Sequence, residues 1–192
     1  MDQKEKLKLR PYDIVAYKAV KGKEKSAFYR FIRSMSGAKN IDKKNVPVHS
    51  GIVVPINGEN KIVEMKFKEG LVANPIDLES ERFIGVTRLK LSNNEKAKIK
   101  KSIEKDLGRD IPYSKKSMAP TYIYRNKNKK DLLDSICSEY VARKVDKYSK
   151  YKTKEVWHRI TPADMAKDNS FTVKGENAGV YIPRKALIET HK

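Results

Sequence analysis

The chain has 192 residues, enough for one well-buried core and too few for two comfortable domains. Lysine and arginine total 43 against 24 aspartate and glutamate, a formal net charge of +19. This charge favours polyanionic partners such as nucleic acid, anionic lipid or acidic wall polymers, although a solvated lysine surface explains it equally well. The single cysteine excludes an internal disulfide, and no cysteine–histidine spacing resembles a zinc-ligand cluster.

The start of the chain reads as a frayed lead over residues 1–9. The first thirteen residues, MDQKEKLKLRPYD, have no apolar h-region of a secretory signal. No stretch approaches the roughly 20 apolar residues that span a bilayer. The sequence therefore predicts a cytoplasmic protein with a reduced thiol, and its Lys-, Asn- and Ile-rich composition fits a bacterial or viral, including phage-associated, source.

The first half of the chain alternates β-prone runs with polar loops. Asn57-Gly58 is a strong signal for a two-residue hairpin turn between two of these runs. The predicted elements are, in order, a strand at Tyr12–Val20, a helix at Ser26–Ser34, a strand at Val46–Ile56 and its return strand at Lys61–Lys68, followed by a looser segment.

The second half of the chain is richer in helix. Ser92 is predicted to cap a helix that runs through Leu107 and ends at Gly108. The other predicted elements are a strand at Phe83–Leu91, an exposed loop or lid at 118–130, a helix at about 132–145, a short helix within Ile160–Asp168 and a last strand within Val180–Leu187. Mixed strands and helices with hairpin connections predict an α+β fold with an antiparallel sheet, as one domain over 1–192.

Cys137 is the first candidate for chemistry, because it lies near the start of a predicted helix. A cysteine attacks an acyl carbon as thiolate, and its free pKa of about 8.5 leaves little thiolate at neutral pH. A helix N-terminus and a nearby imidazole both favour the anion. The alternative is structural, since a lone cysteine is often a small buried residue.

His49 is the preferred base, because it lies inside a strand and beside Gly51, which leaves room for another group to approach. If Asn57-Gly58 forms the turn, Ile56 pairs with Glu59, and Glu64 lies diagonally from His49 on the same face, roughly 7–8 Å away between backbones. A carboxylate there can orient the imidazole and stabilise imidazolium. Taken singly, both residues are also compatible with structural roles. His158 lies in a basic segment and His191 in the tail.

These residues resemble a known family. The segments that carry the resemblance are His49-Ser-Gly-Ile-Val-Val, Ile-Val-Glu64-Met, Gly-Arg-Asp-Ile-Pro-Tyr113, Ile-Cys137-Ser-Glu139-Tyr-Val and the late Thr-Pro-Ala-Asp-Met. In this order they are similar to the circularly permuted NlpC/P60 proteins of the papain-like superfamily, YiiX/YaeF-like group. The resemblance covers roughly residues 10–171. Tyr12 departs from it, because it stands where that family has a glycine before Asp13.

The resemblance implies a papain-like α+β fold, with a cysteine-bearing helix packed on a small antiparallel sheet. It implies Cys137 as nucleophile, His49 as base and Glu64 as the group that orients the imidazole, with no metal or organic cofactor. Ser138 and Glu139 are candidates for supporting the site, and Tyr113 for lining the pocket. The reaction expected is acyl-group hydrolysis or transfer on a peptide, a peptidoglycan fragment or a phospholipid.

A binding protein is the rival hypothesis. Such a protein would keep the fold without catalysis and use its lysines on nucleic acid or an anionic membrane surface. Tyrosines among lysines, at Tyr122, Tyr124, Tyr148 and Tyr151, permit base stacking or headgroup contacts, or simply belong to a basic surface. The two hypotheses are compatible, since positive charge can also concentrate an anionic substrate around a cleft.

Overall fold

The computed structural model describes residues 9–19, 46–77, 80–112, 137–154 and 160–187. Within these ranges the chain forms an α+β structure in which every strand pairing is antiparallel. The strands are β1 Ile14–Lys18, β2 Pro47–Ile56, β3 Glu59–Lys66, β4 Gly70–Pro75, β5 Phe83–Arg88, β6 Lys152–Thr153, β7 Phe171–Val173, β8 Glu176–Ala178 and β9 Val180–Pro183. The helices are α1 Asn93–Leu107, α2 Cys137–Tyr148 and α3 Pro162–Met165, with a 3-10 turn at Arg184–Ala186.

The main sheet has six strands in the order β4-β3-β2-β1-β5-β9, and a small sheet has the order β6-β7-β8. Strand β2 lies inside the main sheet between β1 and β3, so its backbone is paired on both sides. This position explains the continuous apolar run of β2, because Ile52, Val53 and Val54 are all fully buried. A central strand buried on both faces is a rigid support for a functional side chain.

The two faces of the main sheet carry separate apolar clusters. Ile52, Val63 and Met65 belong to the larger cluster, which also contains the buried side chains of α1 and α2. Val53 and Ile62 belong to the smaller cluster on the other face, together with Tyr17. The alternation along β2 and β3 therefore sends successive side chains to different cores.

Two of the helices begin where their sequences predict. Ser92 caps α1 in a capping box with Glu95, and Thr161 caps α3 in a second box with Asp164. Helix α2 packs on β2 and β3, while α1 packs on α2. A buried ion pair joins these two helices, with Nζ of Lys144 2.5 Å from Oδ2 of Asp106.

The turn before β1 is held by a buried carboxylate. Tyr12 has φ 71°, in the left-handed region that favours glycine. Its side chain is nevertheless buried in the larger cluster. Asp13 is 1% exposed, and its two oxygens accept from Nε and Nη2 of Arg88 at 2.8 and 2.7 Å. Tyr12 thus lies in the turn that leads into β1.

Several predictions about elements are confirmed and others are wrong. The strands around the Asn57-Gly58 turn, the capped helix after Ser92, the short helix after Thr161 and the last strand are present within a few residues of their expected bounds. The segment after Lys68 is not loose, because it forms β4, and the hairpin β7–β8 was not expected. The helix at Ser26–Ser34, the loop or lid at 118–130 and most of the frayed lead lie outside the described residues. In the described part, no helix is long and apolar enough to cross a membrane.

Candidate active site

The β2–β3 hairpin positions the first two groups of the site. Ile56 pairs with Glu59 and Gly51 pairs with Glu64, which confirms the register predicted from the Asn57-Gly58 turn. Continuing that register places His49 opposite Lys66, with Glu64 diagonal to it. The absence of a side chain at Gly51 permits the approach, since a Cβ there would lie 2.8 Å from Ile62 Cγ2 and 3.2 Å from Glu64 Cβ.

His49 and Glu64 are joined by a short contact. Nε2 of His49 lies 2.6 Å from Oε2 of Glu64, and their side chains are 16% and 10% exposed. The other carboxylate oxygen, Oε1, accepts from Nδ2 of Asn74 at 2.8 Å and lies 3.7 Å from Nζ of Lys66. With both oxygens engaged, the carboxylate holds Nε2 in place and leaves Nδ1 for a second partner.

The second partner of the imidazole is Cys137, the first described residue of α2, which is 3% exposed. Its side chain is hydrogen-bonded to His49, and the backbone amides of Ser50 and Ser138 donate to its sulfur. The structure therefore brings Cys137, His49 and Glu64 together as one connected set.

The electrostatics of this set favour its charged forms. Burial alone would lower the pKa of His49, but the charges and hydrogen bonds of Cys137 and Glu64 raise it from 6.5 to about 9. Burial alone would raise the pKa of Cys137, but the charge and hydrogen bond of His49, with the two amides, bring it below its ordinary value. Burial alone would raise the pKa of Glu64, but the hydrogen bond and charge of His49 outweigh burial and lower that pKa. A thiolate beside an imidazolium can act as a nucleophile near neutral pH.

The residues that were predicted to support the site or line its pocket lie in different places. Ser138 is fully buried, and its hydroxyl donates to the carbonyl of Ile160 at 2.8 Å, which ties the start of α2 to the segment before α3. Glu139 is also fully buried, in the first turn of α2. Tyr113 lies outside the described residues, as do His158 and His191.

Sequence reasoning missed two groups that contact this set. Asn74, on β4, donates to Glu64 and was overlooked because its segment was not recognised as a strand. The polar Asn74 within the short run LVANP, two pairs along from Glu64, is the signal that would have identified it. The Ser50 amide has no sequence signal, because every residue except proline supplies one.

A cavity of about 210 Å³ opens beside the imidazole. Its described lining residues come from β1, β2, β3, β4 and the segment before β5, and they include Tyr17, His49, Glu64, Lys66 and Arg82. Cys137 is not among them, so the cavity reaches the imidazole–carboxylate pair from the side of the smaller core. Within the described ranges, no group of three or more His, Cys, Asp or Glu side chains could hold a metal ion.

Comparison of the chain with protein-family models finds no match, and comparison with curated proteins finds none either.

Proposed function

We propose that the protein is a cysteine-dependent acyl-group hydrolase or transferase with a papain-like, circularly permuted NlpC/P60 type of fold. The observation that carries the proposal is the position of His49, whose imidazole contacts the Cys137 thiol on one side and the Glu64 carboxylate on the other. A nucleophile, a base and a group that orients the base are the components that acyl transfer through a thioester needs.

In the proposed reaction, the sulfur of Cys137 attacks the carbonyl carbon of the substrate, and a tetrahedral oxyanion forms. The bond to the leaving group then breaks, and the His49 imidazolium gives its proton to the departing nitrogen or oxygen. The thioester is released when water or another acceptor attacks it and His49, now neutral, takes the acceptor's proton. Thiolate and imidazolium are thereby restored. Glu64 stabilises the imidazolium at both ends of the cycle.

The hypotheses for the acyl donor remain a peptide, a peptidoglycan fragment and a phospholipid. All three contain an ester or amide carbonyl that a thiolate can attack, so the reacting groups alone favour none of them.

The test uses the single cysteine of the chain, because any thiol adduct then belongs to one site. Wild type, Cys137→Ala and His49→Gln are treated at pH 7 with iodoacetamide and, separately, with peptide, wall-fragment and phospholipid pools, and the adducts are measured by mass spectrometry. We expect an acyl adduct on Cys137 with one pool, no adduct in Cys137→Ala, and alkylation in His49→Gln slower by about 100-fold, the order typical of general-base assistance. Equal alkylation rates in wild type and His49→Gln would rule out the proposed pair.

A polyanion-binding role is a second candidate, and one observation favours it. Lys98, Lys101 and Lys105 are all exposed on α1. Their spacings of three and four residues place them on one face of the helix. Replacing all three with glutamine should weaken binding to duplex DNA or anionic vesicles and flatten its salt dependence, by about 2 to 3 in the slope against log salt for DNA. Cys137→Ala should leave this binding unchanged, whereas an unchanged salt slope in the triple variant would exclude the surface.

A further inference from the structure

An arginine lies in the cavity that borders His49. Arg82, His49 and Tyr17 all line this space of about 210 Å³. The Tyr17 ring centroid is 5.9 Å from that of His49 and 5.8 Å from Cζ of Arg82. The imidazole and the guanidinium therefore border the same cavity, with the Tyr17 ring close to both.

The other charged groups of the cavity have partners. Glu64 is bound by His49 and Asn74. Lys66 lies within 3.7 Å of Glu64 and 3.9 Å of Glu69. Asp77, which is exposed, accepts from the Ser80 amide at 3.2 Å and reduces the positive potential there.

Arg82 differs from these groups. Its Nε is buried, yet it has no hydrogen-bond acceptor among the residues that the structure describes. A buried donor without an acceptor is costly, so a ligand that supplies one gains that free energy on binding. The guanidinium presents five donors in a planar fork, whose geometry matches the oxygens of a carboxylate or phosphate.

We propose that Arg82 forms an anion-binding subsite, and that the substrate of the Cys137–His49 site carries a carboxylate or phosphate group apart from the acyl carbon that reacts. The inference rests on the proposed function, because it names the substrate class of the same site. Tyr17 supports the subsite in two ways. Its ring lies against the guanidinium, and burial, with the nearby charge of Glu64, raises the pKa of its phenol, which therefore stays a hydrogen-bond donor.

The experiment compares two alkylating agents of nearly equal size, iodoacetate and iodoacetamide, which differ in charge. The second-order rate constants for Cys137 are measured at pH 7 in wild type, Arg82→Gln and Arg109→Gln. Arg109 is exposed beyond the end of α1, so its loss removes the same charge from outside the cavity. We expect the iodoacetate-to-iodoacetamide ratio to fall about ten-fold in Arg82→Gln, as for loss of one charge-assisted hydrogen bond, and to stay within about two-fold in Arg109→Gln.

Protection experiments distinguish the two anions. Inorganic phosphate or acetate, at constant ionic strength, is added before iodoacetamide. Protection by phosphate that is lost in Arg82→Gln assigns a phosphate-bearing substrate, and the same result with acetate assigns a carboxylate-bearing one. A ratio unchanged in Arg82→Gln overturns the subsite while leaving the nucleophile intact, as does protection by neither anion.

A readout that does not use the thiol keeps the subsite testable if Cys137 fails to react. In Cys137→Ala, phosphate or acetate should shift the imidazole signals of His49 in a nuclear magnetic resonance spectrum, and should not shift them once Arg82→Gln is added. Failure of alkylation refutes the nucleophile, and failure of this shift refutes the subsite.

Discussion

Glu64→Gln tests whether the carboxylate maintains the charged form of the site. Glutamine keeps the size of the side chain and can still accept from Nε2 of His49, and the Asn74 amide can turn to face the new NH2 group, so the charge is the main loss. The rise in the pKa of His49 from 6.5 to about 9 amounts to roughly 3 kcal/mol in favour of imidazolium. Cys137 contributes more of it than Glu64 does. For the charge of Glu64 we take about 1 kcal/mol, the Coulomb energy of two unit charges about 4 Å apart in a water-like medium, which makes the thiolate–imidazolium pair roughly five- to ten-fold rarer in the variant.

The assay is the rate of Cys137 alkylation by iodoacetamide from pH 5 to pH 10. Glu64→Gln should lower the rate around neutral pH by roughly five- to ten-fold and approach wild type only in alkaline solution, where the thiol ionises without help. Glu69→Gln is the matched control, because Glu69 is exposed at the same end of the hairpin and contacts the same lysine, Lys66. Should Glu64→Gln be alkylated as fast as wild type at pH 7 while keeping its circular dichroism spectrum, the assigned role of Glu64 would be refuted.

Three other changes test the surrounding structure. Gly51→Ala should push β3 away from β2 and slow Cys137 alkylation, because the added Cβ would lie 3.0 Å from the carbonyl oxygen of Val63; an unaffected rate would show that the spacing of the hairpin does not matter. Asp106→Asn should lower the free energy of unfolding in urea by about 3 kcal/mol, because it leaves a buried ammonium uncompensated, and a loss below about 1 kcal/mol, typical of exposed pairs, would contradict this. The lowered pKa of Glu64 stabilises the fold fully above pH 4.5 and less as pH falls below that value, so the difference in unfolding free energy between wild type and Glu64→Gln should shrink in acid; a constant difference would speak against it.

The hairpin that carries His49 and Glu64 could be predicted from the sequence because local rules determine it. Asn57-Gly58 specifies a two-residue turn, the turn fixes the register, and the register places the two side chains diagonally on one face. Helix α1 was equally predictable, since Ser92, Glu95 and Gly108 form its caps. In both cases the information lies within a few residues of the feature.

The features that could not be predicted from the sequence depend on pairing between strands that are far apart along the chain. Strand β4 is short and only half-buried, so its apolar pattern is weak, and its place beside β3 depends on the pairing of Gly70 with Lys66. Arg82 and Tyr17 are 65 residues apart, and only the pairing of β1 with β5 brings them together. No local motif marks either residue as part of a site.

The reactivity of Cys137 depends on the locally determined hairpin and on long-range packing together. The hairpin alone supplies an oriented imidazole, but burial by itself would raise the pKa of the thiol and keep it inert. The thiol becomes a candidate nucleophile only because α2 packs on β2 and β3 with Cys137 against His49 and the Ser50 amide. Contacts far from the sulfur maintain that packing, among them the Lys144–Asp106 pair that joins α2 to α1. A variant that loosens this pair should therefore slow alkylation of Cys137 as well as destabilise the fold, whereas a purely structural cysteine would become easier to alkylate as the helix loosened.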